Sequence, residues 1–419
     1  MIFQQVKNCS LCGIFMSQLR LFVVKYTMDK MKTDISSLFT TAKKENTFLK
    51  VCAPMVRYSK VQFRTLVKRN GVDLCFTPMI LADSFCQSSK ARSSEFATNT
   101  TDTPLIAQFA AKTVHDFIGA SELVYPYVDG VDLNCGCPQR WAIKDGYGCG
   151  LLTEPDIIHS LVRNFKNHLP DSFSVSVKIR LLKDLKSTIE LCRSLENCGV
   201  NFLTVHGRKA WHKTCDPVDI SALKEIKQSL RIPIVANGNV KSLQNAEAVY
   251  AETGCDGVMS AQGMLNNPSM FTGAPATPIT CIQDWINICE YQKPITFQCF
   301  HHHLVFMLEK VLTKSQKKIF NFLTSYEDIL NFLYETYGIK PEICDDSKFD
   351  NMDCAFDSVD YSVLKNIYCQ TDNVIKDIPP GDKIYDSSLS DGKYFNSAIC
   401  RDNNDDLDYT DGWSMFNEN

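Results

Sequence analysis

The sequence predicts an α/β protein, a (β/α)8 (TIM) barrel followed by a small C-terminal helical domain. From residue 48 to about 262, short apolar runs alternate with segments of helical period, the pattern of βαβ units and hence of a parallel sheet. The runs fall at 49–55, 73–80, 104–109, 130–134, 174–180, 202–206, 232–237 and 256–261, the strand number of a closed barrel. After residue 279 the alternation gives way to helical periodicity alone. An open doubly wound sheet is the alternative, but its Gly-x-Gly-x-x-Gly turn after the first strand is absent.

The elements follow in order. Residues 1–46 lack a strong period and are expected to be a poorly ordered extension. The barrel spans 47–278, with helices predicted at 60–70, 113–125, 156–168, 185–197, 220–230 and 243–252. The helical signal is weakest after the run at 73–80. A helical domain at 279–340 contains periodic segments at 282–290, 296–312 and 317–337, ended by Gly338 and Pro341. Residues 341–419, rich in Asp, Asn and Ser and broken by Pro-Pro-Gly at 379–381, are expected to be a disordered tail.

Composition narrows the class. No stretch offers the ~20 uncharged apolar residues of a membrane span. The apolar run at 14–26 is interrupted by Gln18, Arg20 and Lys25, which argues against a secretory signal and leaves a mitochondrial presequence open. The chain has 19 cysteines, an odd number scattered through apparently buried strands, so they read as reduced thiols of an intracellular protein, cytoplasmic or nuclear. Cys9 and Cys12 have a CxxC spacing without a second pair at zinc distance. His301, His302 and His303 are adjacent on a helix and point in different directions, so no metal site is expected. Residues 340–419 hold 18 acidic and 7 basic side chains, against 30 and 37 in the rest. A mildly basic body with an acidic tail is compatible with a polyanionic partner.

Chemistry-bearing residues gather at the C-terminal ends of the predicted strands, where such barrels build their sites. Strand one ends in Ala53-Pro54-Met55, strand three carries Gln108, and strand four runs into Asn134-Cys-Gly-Cys137-Pro. Strand five has Lys178 and Arg180, strand six His206-Gly-Arg208, strand seven Asn237-Gly238-Asn239, and strand eight Ala261-Gln262-Gly263. Glycine turns after the last two strands let backbone amides approach a phosphate. Lys178 and His206 would place positive charge beside the N1–O2 edge of a flavin. Gln108 would meet the pyrimidine edge of its ring, and Pro54 and Met55 its apolar part.

Cys-Ala-Pro-Met-Val (52–56), Asp-Leu-Asn-Cys-Gly-Cys-Pro-Gln-Arg (132–140), Val-Lys-Ile-Arg (177–180), Val-His-Gly-Arg (205–208) and Asn-Gly-Asn (237–239) resemble the tRNA-dihydrouridine synthases. The resemblance extends from residue 48 to about 340. Val-Arg-Tyr-Ser-Lys (56–60), Lys-Ala-Arg-Ser-Ser-Glu-Phe (90–96) and Cys-Pro-Gln-Arg-Trp-Ala (137–142) are most similar to the eukaryotic type acting at positions 20a and 20b of the D-loop.

The resemblance implies FMN-dependent reduction of the uridine 5,6 double bond, with NADPH or NADH as reductant. Cys137 would donate the proton to C5; an ordinary thiol, at pKa ~8.5, is mostly protonated at neutral pH. Asn134 would orient the base, and Cys135 would be a structural neighbour. FMN contacts carry over to Pro54, Met55, Val56, Gln108, Lys178, His206, Asn237, Gly238, Asn239, Ala261 and Gln262. Lys90, Arg92, Arg140, Lys144, Arg180 and Arg208 are the candidate contacts to tRNA around the mouth, with Lys310, Lys314, Lys317 and Lys318 on the helical domain. The enzyme is expected to be a monomer. Where the family typically has Asn-Gly-Asp and an arginine, this chain has Asn239 and Gln262, which implies weaker FMN retention. The alternatives are a tRNA-binding member with impaired catalysis and a flavin barrel that reduces a small molecule.

Overall fold

The computed structural model describes residues 32–342 and 351–369. Eight parallel strands close into a ring. β1 (Leu49–Cys52) pairs with β2 (Leu74–Phe76) on one side and β9 (Gly257–Ser260) on the other. The ring continues through β8 (Ile234–Asn237), β7 (Phe202–Lys209), β6 (Ser174–Leu181), β5 (Gly130–Cys135) and β4 (Leu105–Ala110), and β4 pairs with β2 to close it. A short ninth strand, β3 (Ile80–Leu81), completes the second stave. Cys75 and Phe76 pair with Leu105 and Ile106, and Ile80 and Leu81 with Phe109 and Ala110. The run at 73–80 is therefore one strand interrupted in the middle. Pro78 has no N–H for the ladder, and the Thr77 hydroxyl accepts the Gln108 N–H at 3.0 Å instead.

Strand alternation sorts the side chains into two layers. Val131, Leu133 and Cys135 face the helical shell and join the main apolar core, while Asp132 and Asn134 turn into the barrel. Helices cover the outside at each predicted position. The weak segment after β3 forms two short helices, Ala82–Gln87 and Ser89–Glu95.

Both ends of the chain depart from expectation. Within the extension expected to be poorly ordered, Ile35–Lys44 is a helix, capped by the Asp34 carboxylate on the Ser36 N–H at 2.9 Å. Its Ile35 and Phe39 are buried, and the Phe39 ring packs tilted against Phe202 at the start of β7, centroids 5.3 Å apart, which places the helix at the N-terminal barrel end. Within the acidic tail, residues 351–369 form a strap. Met352 bridges Thr98, and the helix Tyr361–Cys369 lies on Val114–Val124, where Gly119 leaves room for Leu364. Tyr127 donates to Asp357 at 2.6 Å, and the Tyr368 hydroxyl lies 3.0 Å from His168 Nδ1. The aromatics scattered among the acids supply this packing. The rest of the tail and the Cys9/Cys12 pair lie outside the described residues.

The helical domain comprises Ile279–Tyr291, Phe297–Met307, Lys314–Asn321 and Tyr326–Tyr337. The period at 317–337 is broken at Ser325, which caps a new helix through Asp328. The three histidines each engage a different atom of the surrounding protein. His301 donates to the Phe320 carbonyl and His303 to the Tyr58 carbonyl, while His302 Nδ1 lies 3.3 Å from the Tyr58 hydroxyl. Two of them thus grip the loop after β1. Among the described residues no helix is long and apolar enough to cross a membrane.

Candidate active site

The strand ends bring Cys137, Lys178 and His206 to one mouth. Register does this directly: Asn134 lies opposite Lys178, Arg180 opposite His206, and His206 opposite Asn237. After β5 the chain turns sharply, and Asn134 Oδ1 accepts the N–H groups of Gly136 (3.2 Å) and Cys137 (3.0 Å). The Cys149 N–H donates to the Cys137 carbonyl at 2.9 Å, and Arg180 Nε to the Gly136 carbonyl at 3.1 Å. Gly148 has φ +57°, and a Cβ there would sit 2.6 Å from the Cys137 carbonyl oxygen. The thiol is held from both sides of its own peptide.

The cysteines of the motif part company. Cys137 is half-buried, whereas Cys135 faces the shell and burial pushes its thiol well above the usual range. Behind them, burial pushes Cys149 to about 12. Among the described cysteines Cys215 alone is exposed.

Lys178 is pulled down to about 8, chiefly by burial and then by the Arg180 guanidinium. Its ammonium has no hydrogen-bond partner among the described residues. Below it, the Thr204 hydroxyl is buried and also unpaired. His206 differs from expectation in charge. Burial first, then Lys178, Arg180 and Arg208, hold it well below the usual histidine range, so the ring is neutral at pH 7 and offers hydrogen bonding rather than a cation. Its Nε2 lies 3.3 Å from Arg208 Nη1.

Three of the arginines proposed to meet RNA are buried braces instead. Arg208 donates to the carbonyls of Asp216 and Thr214, both at 2.7 Å, and so fixes the loop after β7. Arg180 holds Gly136 and, at 3.2 Å, the Lys209 carbonyl. Arg92 spends its donors on the carbonyls of Phe85 (2.8 Å), Cys86 (3.2 Å) and Cys354 (3.1 Å), joining the second stave's helices to the strap. A planar guanidinium with five donors suits buried carbonyl cages as well as phosphates, and sequence alone does not separate the two uses. Lys90, Arg140 and Lys144 are exposed. So is Trp211, at 62 %, on the loop that Arg208 braces, with Lys209 Nζ 5.6 Å from its ring centre.

Across the mouth, Asn237-Gly238-Asn239 turns with φ +129° at Gly238 and +54° at Asn239. A Cβ on Gly238 would meet Val218 at 2.9 Å and His206 at 3.0 Å, and one on Gly263 would lie 2.4 Å from the Val240 carbonyl. Ser260 Oγ donates to that same carbonyl at 2.7 Å, locking the β8 and β9 loops together. Asn237 Nδ2 donates to the Met259 carbonyl at 3.1 Å, and Gln262 is engaged with Asn266 at 3.0 Å. Ala261 and Gln262 are half-buried, and Asn239 is exposed. Near β1, Met55 N–H donates to Ser59 Oγ at 2.9 Å; Pro54 and Met55 are buried and Val56 half-exposed. The two glycine turns, the Lys178 ammonium and the unpaired Thr204 hydroxyl are groups that fit a flavin. Gln108, the remaining predicted contact, is buried with its amide between Asp132 and Asn134.

The sequence ties Gly148-Cys149-Gly150 to the positioning of the cysteine loop, and the contact of Gly148 with the Cys137 carbonyl agrees with that. Sequence reasoning gave no role to Thr204 or to the Asp132 side chain, although both share strand parity with His206 and Asn134, and period two alone places them on the inner face.

Residues 51–335 match the dihydrouridine synthase family. A tRNA-dihydrouridine(20a/20b) synthase (NAD(P)+)-like protein of Mus musculus is 50 % identical over 291 residues, 69 % of this chain and 89 % of that one. Its counterpart in Homo sapiens is 48 % identical over 293 residues, covering 70 % and 92 %. The tRNA-dihydrouridine(20a/20b) synthase (NAD(P)+) of Schizosaccharomyces pombe is 40 % identical over 290 residues, covering 69 % and 88 %. With residues 51–335 matched by the family and 50 % identity to one such relative over the 291 aligned residues, this chain belongs to the dihydrouridine synthase family.

Proposed function

We propose that this protein reduces a uridine in the D-loop of tRNA, at position 20a or 20b, to 5,6-dihydrouridine, with Cys137 as the proton donor. The observation that carries the reading is a half-buried thiol fixed at a mouth that also holds Lys178, neutral His206 and two glycine turns. The names of the relatives support the substrate, the positions and the nicotinamide reductant. FMN, when bound, would supply the hydride for C6, with NADPH or NADH as its reductant. Pro54, Met55, Val56, Gln108, Lys178, His206, Asn237, Gly238, Asn239, Ala261 and Gln262 would hold that cofactor.

The protein's own groups do the rest. The Cys137 proton goes to C5 from the face opposite the hydride, and the hydrogen bonds on the loop hold the sulfur in place for it. Asn134 reaches the base with whatever capacity its loop contacts leave. A uridine must leave its stack to enter, at a cost of a few kcal/mol. Contacts from Lys90, Arg140 and Lys144 to phosphates, and the exposed face of Trp211 to a base, would offset it.

Unmodified tRNA transcript incubated with the protein, FMN and NADPH, digested and read by mass spectrometry, tests this. The expected product is a gain of two hydrogens at 20a or 20b, absent with Cys137→Ala. No product above that control overturns the reaction, and product at another uridine overturns the position.

A further inference from the structure

The amide of Gln108 and the amide of Asn134 are chemically two-faced, and something must decide which end of each points where. Asp132 lies fully buried one layer below the Cys137 loop, with both oxygens accepting: Oδ1 from Ser176 Oγ at 2.6 Å and Oδ2 from Gln108 Nε2 at 2.8 Å. An ionised carboxylate can only accept, so it fixes the NH2 end of Gln108 toward itself. Gln108 Oε1 must then face Asn134, whose Nδ2 donates to it at 2.8 Å. That leaves Asn134 Oδ1 for the Gly136 and Cys137 N–H groups. The reversed sense would set the Asn134 NH2 against two N–H donors, and the loop would lose both bonds.

We propose that Asp132 is a positioning residue for Cys137, its carboxylate setting through Gln108 and Asn134 the sense of the hydrogen bonds that hold the loop. The proposal rests on the function proposed above and adds a residue to it. Its substance is directional: one carboxylate, buried and doubly satisfied, sets the sense of Gln108 and so favours the one sense of Asn134 that the two loop N–H groups can use. The chain of contacts crosses from β6 through β5 to β4 and back to β5, so it spans three staves of the barrel rather than one loop.

Asp132→Asn in the FMN-loaded enzyme tests it. Reduction of the bound flavin by NADPH, followed by stopped flow, needs no proton from Cys137 and is expected to change less than about twofold. Single-turnover formation of dihydrouridine is expected to slow about 10- to 100-fold, the scale of a small misplacement of a reacting group. In a Cys137→Ser background, Asp132→Asn should add little, since residues acting as a unit are non-additive. Gln108→Met cuts the chain one link on; because Gln108 is also a proposed cofactor contact, the result expected if Asp132→Asn does not fold is a loss of dihydrouridine formation about tenfold or more beyond any loss of flavin reduction.

Alkylation of Cys137 by iodoacetamide, read on its peptide with Cys215 as internal reference, needs no RNA. Asp132→Asn is expected to change that rate about fivefold or more, as thiol reactivity follows local surroundings. Equal slowing of both half-reactions, full additivity with Cys137→Ser, or unchanged alkylation overturns the proposal. A wild-type enzyme that makes no dihydrouridine while its Cys137 alkylation responds to Asp132 overturns the proposed function instead.

Discussion

The two sides of the barrel mouth are built by different means. The Cys137 side is tied largely by side chains: Asn134 to two backbone N–H groups and Arg180 to a carbonyl, with one backbone bond from the Cys149 N–H to the Cys137 carbonyl. The β8–β9 side is shaped by backbone conformation and close packing, with positive φ at Gly238 and Asn239 and no space for a Cβ at Gly263. Its polar side chains, Asn237 and Gln262, are spent on Met259 and Asn266. One side fixes the backbone that carries an atom, and the other fixes the course of two turns. A proton donor must be placed to within a fraction of an ångström, whereas a phosphate can be gripped by several N–H groups that share the load.

The largest expected effect lies on the first side. Cys137→Ala removes the proposed proton donor and should lower single-turnover dihydrouridine formation by about 10²–10⁴-fold, the range of general acid catalysis. Flavin content and NADPH oxidation should be unchanged. A variant that keeps a tenth of the activity would mean that solvent or another group supplies the proton, and the comparison would lose its first term.

Asn134→Ala keeps the thiol and removes its anchor. The two N–H groups it served lose their acceptor near the mouth, and the expected loss is about 100-fold in product formation, again with intact flavin reduction. An equal fall in both half-reactions would place Asn134 on the cofactor rather than on the loop.

On the second side the effects should be smaller and of opposite sign. Gln262→Arg restores a cation where the family typically has one, and a charge-assisted bond to phosphate is worth ~1.5–3 kcal/mol, or about tenfold and upward in FMN affinity. Equilibrium dialysis or flavin fluorescence titration would read it. An unchanged Kd would mean that the amides of the glycine turns already saturate the phosphate.

Most of this plan was legible in the sequence, for a physical reason. The barrel's staves are buried on both faces and bounded by turns, so each announces itself as a short apolar run. The site residues were legible because they are polar at the ends of such runs. The helix Ile35–Lys44 and the strap were not, because each buries only a few residues against a surface formed elsewhere: Ile35, Phe39 and Ala42 in one, Leu364 and Tyr368 in the other. Arg180 and Arg208 were placed on the right strands, but they and Arg92 were assigned to tRNA, whereas their donors are engaged by backbone carbonyls. Residue type specifies donors, but only the fold decides whether a carbonyl cage already uses them.

Lys178 stands between the two sides, and its effect is on stability. Its native value, about 8, lies below that of an unfolded lysine, so between the two the unfolded chain binds more protons and stability rises with pH. At pH 7 the buried charge opposes folding. Lys178→Met should therefore raise the melting temperature of the flavin-free protein at pH 7 by about 2–4 °C, and the gain should shrink above pH 8. A gain that stays constant from pH 6 to 10 would mean that the ammonium is neutralised in the native state by a partner or is solvated.

The smallest effect separates side chain from backbone on the cofactor side. Asn239 holds φ +54° and is exposed, a conformation asparagine tolerates and glycine adopts freely. Asn239→Gly should change stability by less than about 0.5 kcal/mol, because relief in the native turn is offset by the larger freedom of glycine in the unfolded chain. FMN affinity should stay within about twofold, since the turn's amides keep their direction. Asn239→Val, β-branched in a left-handed position, should cost ~1–2 kcal/mol and weaken FMN by tilting the turn. If the glycine variant instead loses the flavin while the turn stays folded, the Asn239 side chain itself holds the cofactor. The contrast between a side-chain-built acid site and a backbone-built cofactor site would then fail.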